Sequence, residues 1–270
     1  MERPRLVASD VDGTLLDPTE RVTQRTRAVV DRVVAAGIPF VLVTGRPPRW
    51  VPRIVAQLGR PGLAVCANGA MIYDAAADRV RHAVTLDPLA LRDAADAVRI
   101  ALPDAKLAVE RPGTSAWDRA DQQFLAELDY THPWPGGDSA AAPRDELLGH
   151  PATKLLVRQP GVSSDVMARA VTEVLGTALD VTFSTGHGLV EISAKGVTKG
   201  SGLALIAKEL GIAADDVVAF GDMPNDLSML HWAGCGVAMA NAHPAVLDVA
   251  DEITAPNSED GLALVLERWF

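Results

Sequence analysis

Alternation is the feature that most constrains this chain. A short apolar run, Arg5-Leu-Val-Ala-Ser9, leads into the turn-forming Asp10-Val-Asp-Gly-Thr14. Beyond it, Val29, Val30, Val33 and Val34 recur at helical spacing until Gly37 supplies a stop. A second apolar run, Ile38–Val43, follows, and then Thr44-Gly-Arg46 and an amphipathic stretch through Leu58. Short apolar runs bounded by turn signals read as buried strands, and the 3.6-residue periodicity between them reads as helix. Parallel strands need a helix to cross from one to the next, so this order predicts a parallel sheet with helices on both faces. The far end repeats the pattern: helix over residues 201–210, strand Asp216–Phe220, helix Leu227–Ala233, strand Cys235–Met239. Both ends are therefore expected to build one doubly wound α/β domain.

The middle departs from this rhythm. Pro, Gly and Ala accumulate in Thr131–Pro143, and the strand candidates Lys154–Val157, Asp180–Ser184 and Leu189–Ser193 flank a helical stretch, Ser164–Leu175. An inserted α+β domain is expected at residues 84–194, leaving 1–83 and 195–270 to the parallel sheet. No repeat of the kind that marks a solenoid is visible. With 270 residues, 48% of them hydrophobic, the chain can bury the core of one large domain or two modest ones.

A net charge of -10 gives no electrostatic reason to bind nucleic acid or an anionic membrane, so the expected partner is a small molecule. No stretch approaches the roughly 20 apolar residues of a membrane span, and MERPRLVASDVDG lacks the longer apolar segment of a signal peptide. Cys66 and Cys235 lack zinc-ligand spacing and read as small buried apolar residues in a reducing cytoplasm.

The chemistry-bearing residues follow the strands. Asp10-Val-Asp12-Gly-Thr-Leu15 puts two carboxylates two residues apart after the first strand, where open parallel sheets hold their ligands. A carboxylate at Asp10 could attack phosphorus, and Asp12 could protonate a leaving oxygen and later deprotonate water. Taken alone, the hexapeptide reads better as an Asp-Gly turn. Thr44-Gly45-Arg46 offers a hydroxyl and approachable N–H groups for phosphate oxygens, or equally a helix cap at Thr44. Lys199, in Gly-Val-Thr-Lys-Gly, stands at a helix start, where it could neutralise a phosphoryl oxygen or simply face solvent. Thr198 occupies a position where a nucleotide-binding P-loop requires glycine, which removes that reading. Gly221-Asp222-Met-Pro-Asn225-Asp226 supplies hard oxygen donors of the kind magnesium takes: Asp10, Asp222 and the backbone carbonyl of Asp12, with Asp226 hydrogen-bonding nearby. Asn225 or Asp226 could equally cap a helix. Four loops of this kind are expected to gather Asp10, Asp12, Asp222 and Asp226. Such a cluster needs a cation and Lys199 to be tolerable, and its residual like-charge pressure is expected to help Asp12 keep a proton.

In this order the motifs resemble those of the haloacid dehalogenase superfamily, specifically the Cof-like, subfamily IIB sugar-phosphate phosphatases. Asn68-Gly-Ala, Val190-Glu-Ile192 and Asn241-Ala add supporting phrases. The resemblance implies a Rossmann-like core with an inserted cap of the C2B type, which excludes water and reads the leaving group. It implies Asp10 as nucleophile, Asp12 as acid and base, Thr44 and Gly45 as phosphate ligands, Lys199 as charge stabiliser, Asp222 as magnesium ligand and Asn225 as phosphate contact, supported by Arg46 and Asp226. Mg2+ is the expected cofactor, a small phosphorylated metabolite the substrate, and a cytoplasmic monomer or small homo-oligomer the working form. A phosphomannomutase-like phosphotransferase and a non-catalytic phospholigand sensor are the competing functions. A nicotinamide dehydrogenase is disfavoured, because no Gly-x-Gly-x-x-Gly follows the first strand.

Overall fold

The computed structural model describes residues 2–60, 62–134 and 139–270, so part of the Thr131–Pro143 stretch lies outside the described residues. The chain divides into two compact units, Met1–Arg81 with Thr198–Phe270, and His82–Val197. The breaks thus fall after residues 81 and 197, against an expectation of 83 and 194.

The first unit is built on an eight-stranded sheet, in the order Glu252–Thr254, Cys235–Met239, Val217–Gly221, Leu6–Ser9, Phe40–Val43, Leu63–Cys66, Met71–Asp74, Arg79–Ala83. The strands from Glu252–Thr254 to Leu63–Cys66 run parallel, and Met71–Asp74 turns back antiparallel. The chain winds outward from Leu6–Ser9 in one direction, then returns to add Val217–Gly221 on its other side. The order therefore reverses between these two central strands, the crevice where open α/β sheets bind ligands. Register fixes the level: Ser9 lies opposite both Phe220 and Leu42, so the loops beginning at Asp10, Asp222 and Thr44 leave the same sheet edge.

Burial explains why these runs are strands. Leu6 and Ala8 face Val41, Val43 and Val65, under Leu203 and Ile206 of the helix Lys199–Glu209 and Met229 and Leu230 of the helix Leu227–Trp232. Val7, alternating to the other face, is equally inaccessible, as are Val29 and Val33 of the helix Gln24–Ala35. Thr23 caps that helix by accepting the Thr26 N–H, and Gly37 ends the connection at φ +77°. The helix expected over 201–210 begins at Lys199, because Thr198 and Ser201 form a reciprocal capping box that starts it two residues earlier.

The inserted unit carries a six-stranded sheet, ordered Leu179–Thr182, Leu189–Ala194, Lys154–Arg158, Lys106–Glu110, Phe124–Ala126, Ala140–Ala141. Its neighbours are antiparallel except the last pair. Leu91, Ala94 and Val98 of the helix Pro88–Ala101, and Met167 and Val171 of the helix Ser164–Leu175, pack against Leu107, Val109, Leu155, Val157, Val190 and Ile192. Residues that alternate to the opposite face include the buried Glu110, Lys154 and Glu191. Among the described residues no helix is long and apolar enough to cross a membrane.

Candidate active site

Asp10 extends the central ladder by one bond, its N–H donating to the Phe220 carbonyl at 2.9 Å. The chain then leaves the sheet in a tight turn closed by the Leu16 N–H on the Val11 carbonyl, 3.0 Å. Gly13 takes φ +80° in this turn, and a Cβ there would lie 2.2 Å from Asp222 Oδ2, so the Asp-Gly turn and the site are one structure. Thr14 Oγ1 donates to Asp222 Oδ1 at 3.1 Å. Asn241 Nδ2 donates to the Gly13 carbonyl at 2.9 Å, and Asn257 Nδ2 to that of Leu16 at 2.7 Å, clamping the turn from outside.

Lys199 is 1% exposed and reaches two carboxylates: Asp10 Oδ1 at 2.5 Å and Asp226 Oδ1 at 2.6 Å. The other oxygen of Asp226 accepts the N–H groups of Asp222 and Met223, each at 2.9 Å. Asp226 therefore ties the Gly221–Asp226 loop to Lys199 and has both oxygens engaged. Oxygens of Asp10, Asp222 and Asp226 lie within 4.8 Å of one another, all three residues buried. Burial first, and then the neighbouring carboxylates, push Asp10 up to about 7 against the pull of Lys199. The same causes push Asp222 up to about 9. Burial disfavours the charged Lys199, yet Asp10 and Asp226 hold its ammonium well above the ordinary lysine range.

Three buried carboxylates against one ammonium fit a further cation. Asp226 is committed to hydrogen bonds, so Asp10 and Asp222 offer the hard oxygens a small divalent ion takes.

The structure corrects one grouping. Asp12 does not join the carboxylate cluster: its half-exposed side chain is forked by Arg46, with Arg46 Nε at 2.8 Å from Asp12 Oδ2 and Nη2 at 2.5 Å from Oδ1. The strand ends at Ser9, so the two-residue spacing no longer keeps Asp10 and Asp12 on one side. Burial and like-charge pressure both raise the buried pair, Asp10 and Asp222.

Thr44, 1% exposed, uses its Oγ1 to accept the Arg46 N–H at 3.0 Å, shaping the Thr44–Arg46 turn rather than capping the later helix Val51–Leu58. Asn225 is 7% exposed and donates from Nδ2 to Asn68 Oδ1 at 3.0 Å, while its own Oδ1 is buried without a hydrogen-bond partner. A Cβ on Gly45 would lie 3.0 Å from Asn68 Oδ1 and 3.7 Å from Asn225 Nδ2, which places Gly45, Asn68 and Asn225 together. The motifs gave no role to Thr14, Asn68 or Asn241; the signals that pointed towards two of them are Asn68-Gly, a turn signal directly after an apolar run, and the family-like phrase Asn241-Ala.

Fold and site together define an α/β enzyme of the phosphoryl-transfer type, with its acidic cluster at the switch point of a parallel sheet. The chain belongs to the haloacid dehalogenase-like hydrolases, a family that matches residues 7–266. Curated relatives that match it over nearly the whole of both chains are named phosphatases. The chain is 27% identical over 273 residues to the 5-amino-6-(5-phospho-D-ribitylamino)uracil phosphatase YitU of Bacillus subtilis, covering 99% of this chain and 98% of that one. It is 28% identical over 243 residues to the HMP-PP phosphatase of an Enterobacter species, covering 90% and 86%. A solved haloacid dehalogenase-like hydrolase from Bacillus subtilis shares the fold with a TM-score of 0.82 at 24% identity, over 98% of this chain and 100% of the other.

Proposed function

We propose that the chain hydrolyses a small phosphorylated metabolite, with magnesium, through an aspartyl-phosphate on Asp10. The observation that carries this reading is the pairing of Asp10 with Lys199 beside Asp222: a buried carboxylate with an ammonium on one oxygen and a cation-compatible carboxylate next to it. Asp10 attacks phosphorus, the bond to the leaving oxygen breaks, and Asp12 delivers the proton that oxygen needs. Asp12 then takes a proton from water as its oxygen attacks the aspartyl-phosphate, releasing inorganic phosphate and free Asp10. Asp12 is reachable for both transfers because its carboxylate is half exposed, although Arg46 must yield one of its oxygens.

Thr44, Gly45 and Asn225 hold the non-bridging phosphoryl oxygens, and Lys199 balances the charge that builds on them. Magnesium, held by Asp10, Asp222 and the Asp12 carbonyl, would supply Lewis-acid neutralisation of the phosphoryl group. A phosphorylated sugar or polyol is the proposed substrate, in keeping with the phosphoribityl compound in the name of one relative. The inserted unit, His82–Val197, is the part assigned to discriminate among leaving groups, and the cytoplasm is the proposed compartment.

The test is phosphate release from a panel of sugar phosphates, nucleotides and cofactor phosphates, with and without magnesium, for the wild type and Asp10→Asn. Magnesium-dependent release that Asp10→Asn abolishes is the expected result. Transfer of phosphate to a sugar acceptor with little release to water overturns hydrolysis in favour of a phosphotransferase, and tight binding without turnover favours a sensor.

A further inference from the structure

We infer that Asn68 is a positioning residue, which sets the orientation of the Asn225 amide and so the phosphate-binding edge of the site. The inference rests on the phosphatase reading above and adds a residue to it.

The backbone around Asn68 is costly. Ala67, Asn68 and Gly69 adopt φ +50°, +56° and +102° in succession. A non-glycine residue in the left-handed region loses about 1–2 kcal/mol, and Ala67 has no polar side chain to recover any of it. Two bonds to the neighbouring loop hold the run in place: the Ala67 N–H donates to the Arg46 carbonyl at 3.0 Å and the Asn68 N–H to the Thr44 carbonyl at 3.1 Å. On the other side Gly69 lies so close to Thr198 that a Cβ would meet its carbonyl oxygen at 2.0 Å. The strained run thus locks onto both the Thr44–Arg46 turn and the start of the Lys199 helix. Strain kept in place by its surroundings points towards a function.

A left-handed backbone alone would be served better by glycine. The asparagine brings Oδ1, which touches the residue proposed as a phosphate contact, Asn225, 157 positions away. A carboxamide has an acceptor edge and a donor edge of nearly the same shape. With Asn68 Oδ1 in front of it, only one orientation of Asn225 avoids two opposed oxygens. That orientation spends one N–H of Nδ2 on Asn68 and leaves the second for a phosphoryl oxygen. The flipped amide would present an oxygen to the phosphate and repel it. The same Asn68 Oδ1 explains Gly45, since any side chain there would crowd it at 3.0 Å.

The experiment uses the full chain with magnesium, p-nitrophenyl phosphate as substrate and inorganic phosphate as inhibitor. It compares wild type, Asn68→Gly, Asn225→Ala and the double variant. Asn68→Gly leaves the left-handed backbone available, so its melting temperature is expected to match the wild type. Its KM and its inhibition constant for phosphate are expected to rise together by about fivefold, the equivalent of one neutral hydrogen bond, with kcat within about twofold. In the Asn225→Ala background the Asn68→Gly change is expected to have almost no further effect, because the residue it acts through is gone. Fully multiplicative effects in the double variant, or a loss confined to kcat, overturn the inference while leaving the phosphatase reading intact. Absence of turnover in the wild type defeats that reading by itself. Calorimetric titration of the same four proteins with inorganic phosphate then decides Asn68: a weakened Kd that Asn225→Ala masks supports it, and additive or absent effects overturn it.

Discussion

Lys199 Nζ lies 2.5 Å from Asp10 Oδ1 although neither side chain has appreciable contact with solvent. An ammonium so placed neutralises one carboxylate before any substrate arrives, and Asp226 holds it from the other side. Lys199→Met removes this charge while keeping an apolar stem. The proposed mechanism loses its stabiliser, and kcat/KM is expected to fall by about 10²–10³, the range seen when one preorganised donor is deleted. Folding is also expected to weaken by about 3–5 kcal/mol, because Asp10 and Asp226 are left buried without their partner. Urea denaturation and steady-state kinetics on the same preparation measure both, and a variant as active and as stable as the wild type would refute the pairing's importance.

The acidic cluster predicts a particular dependence on pH. Unfolded, Asp10 and Asp222 lose their protons near 3.8; folded, they keep them up to about 7 and about 9. Between those values the native state binds more protons than the unfolded chain, so stability falls as pH rises. Metal-free protein in a chelator is expected to melt at progressively lower temperature from pH 5 to pH 9. On the proposed reading magnesium binds the ionised carboxylates of the native state only, so at 100 times its Kd it is expected to restore about 2.7 kcal/mol, or about 5–10 °C in Tm, most visibly at the alkaline end. A flat Tm profile without metal would contradict the burial of the pair.

The first unit was largely legible because its local signals and its global arrangement agree. Leu6–Ser9, Phe40–Val43, Val217–Gly221 and Cys235–Met239 are apolar runs ending in turn residues, and the doubly wound sheet uses each of them as a central strand. The gathering of Asp10, Asp222, Asp226 and Lys199 was legible from the motifs, but other partnerships were not. Nothing in the spacing of Asp10 and Asp12 announces that a π-type turn swings the second carboxylate onto Arg46. Asn68 shares its site with residues 44–46 and 225 only through register and loop packing, which a linear pattern does not encode. In the inserted unit the strand candidate Lys154–Val157 is a strand, whereas its neighbour Lys106–Glu110, with the buried Glu110 on the face opposite Leu107 and Val109, had not been assigned. In the same unit Arg111 donates to the Glu146 carbonyl, Arg119 pairs with Asp121, and Trp117 is 78% exposed.

Gly13 makes the coupling between the turn and the proposed metal site testable. Alanine there meets two obstacles, a φ of +80° and a Cβ 2.2 Å from Asp222 Oδ2. The strain is worth about 1–2 kcal/mol, and relief of the clash requires Asp222 to move from the position Thr14 gives it. Displacing the proposed magnesium ligand in this way is expected to weaken magnesium binding by about 10–100-fold. The check is the magnesium-induced Tm rise, which Gly13→Ala should need far higher metal concentrations to reach. An unchanged midpoint for magnesium would show that Asp222 does not hold the ion.

The inserted unit carries its own buried charges, and they predict a non-additive stability pattern. Lys154 pairs with Glu191, both less than 5% exposed, Ser184 Oγ donates to the other oxygen of Glu191 at 2.8 Å, and Glu110 faces Lys154 across the antiparallel register. Lys154→Met alone takes the ammonium from Glu191 and from the register position opposite Glu110, and is expected to cost about 3–5 kcal/mol. Adding Glu191→Leu removes one stranded charge and should recover part of that loss, but Glu110 remains. Only the triple variant, with Glu110→Gln as well, is expected to approach wild-type stability, since well-packed apolar or neutral replacements of a whole buried charge group are often neutral. Chemical denaturation of the single, double and triple variants reads the series directly. Recovery complete at the double variant would mean that Glu110 draws its compensation from elsewhere and that Lys154 serves Glu191 alone.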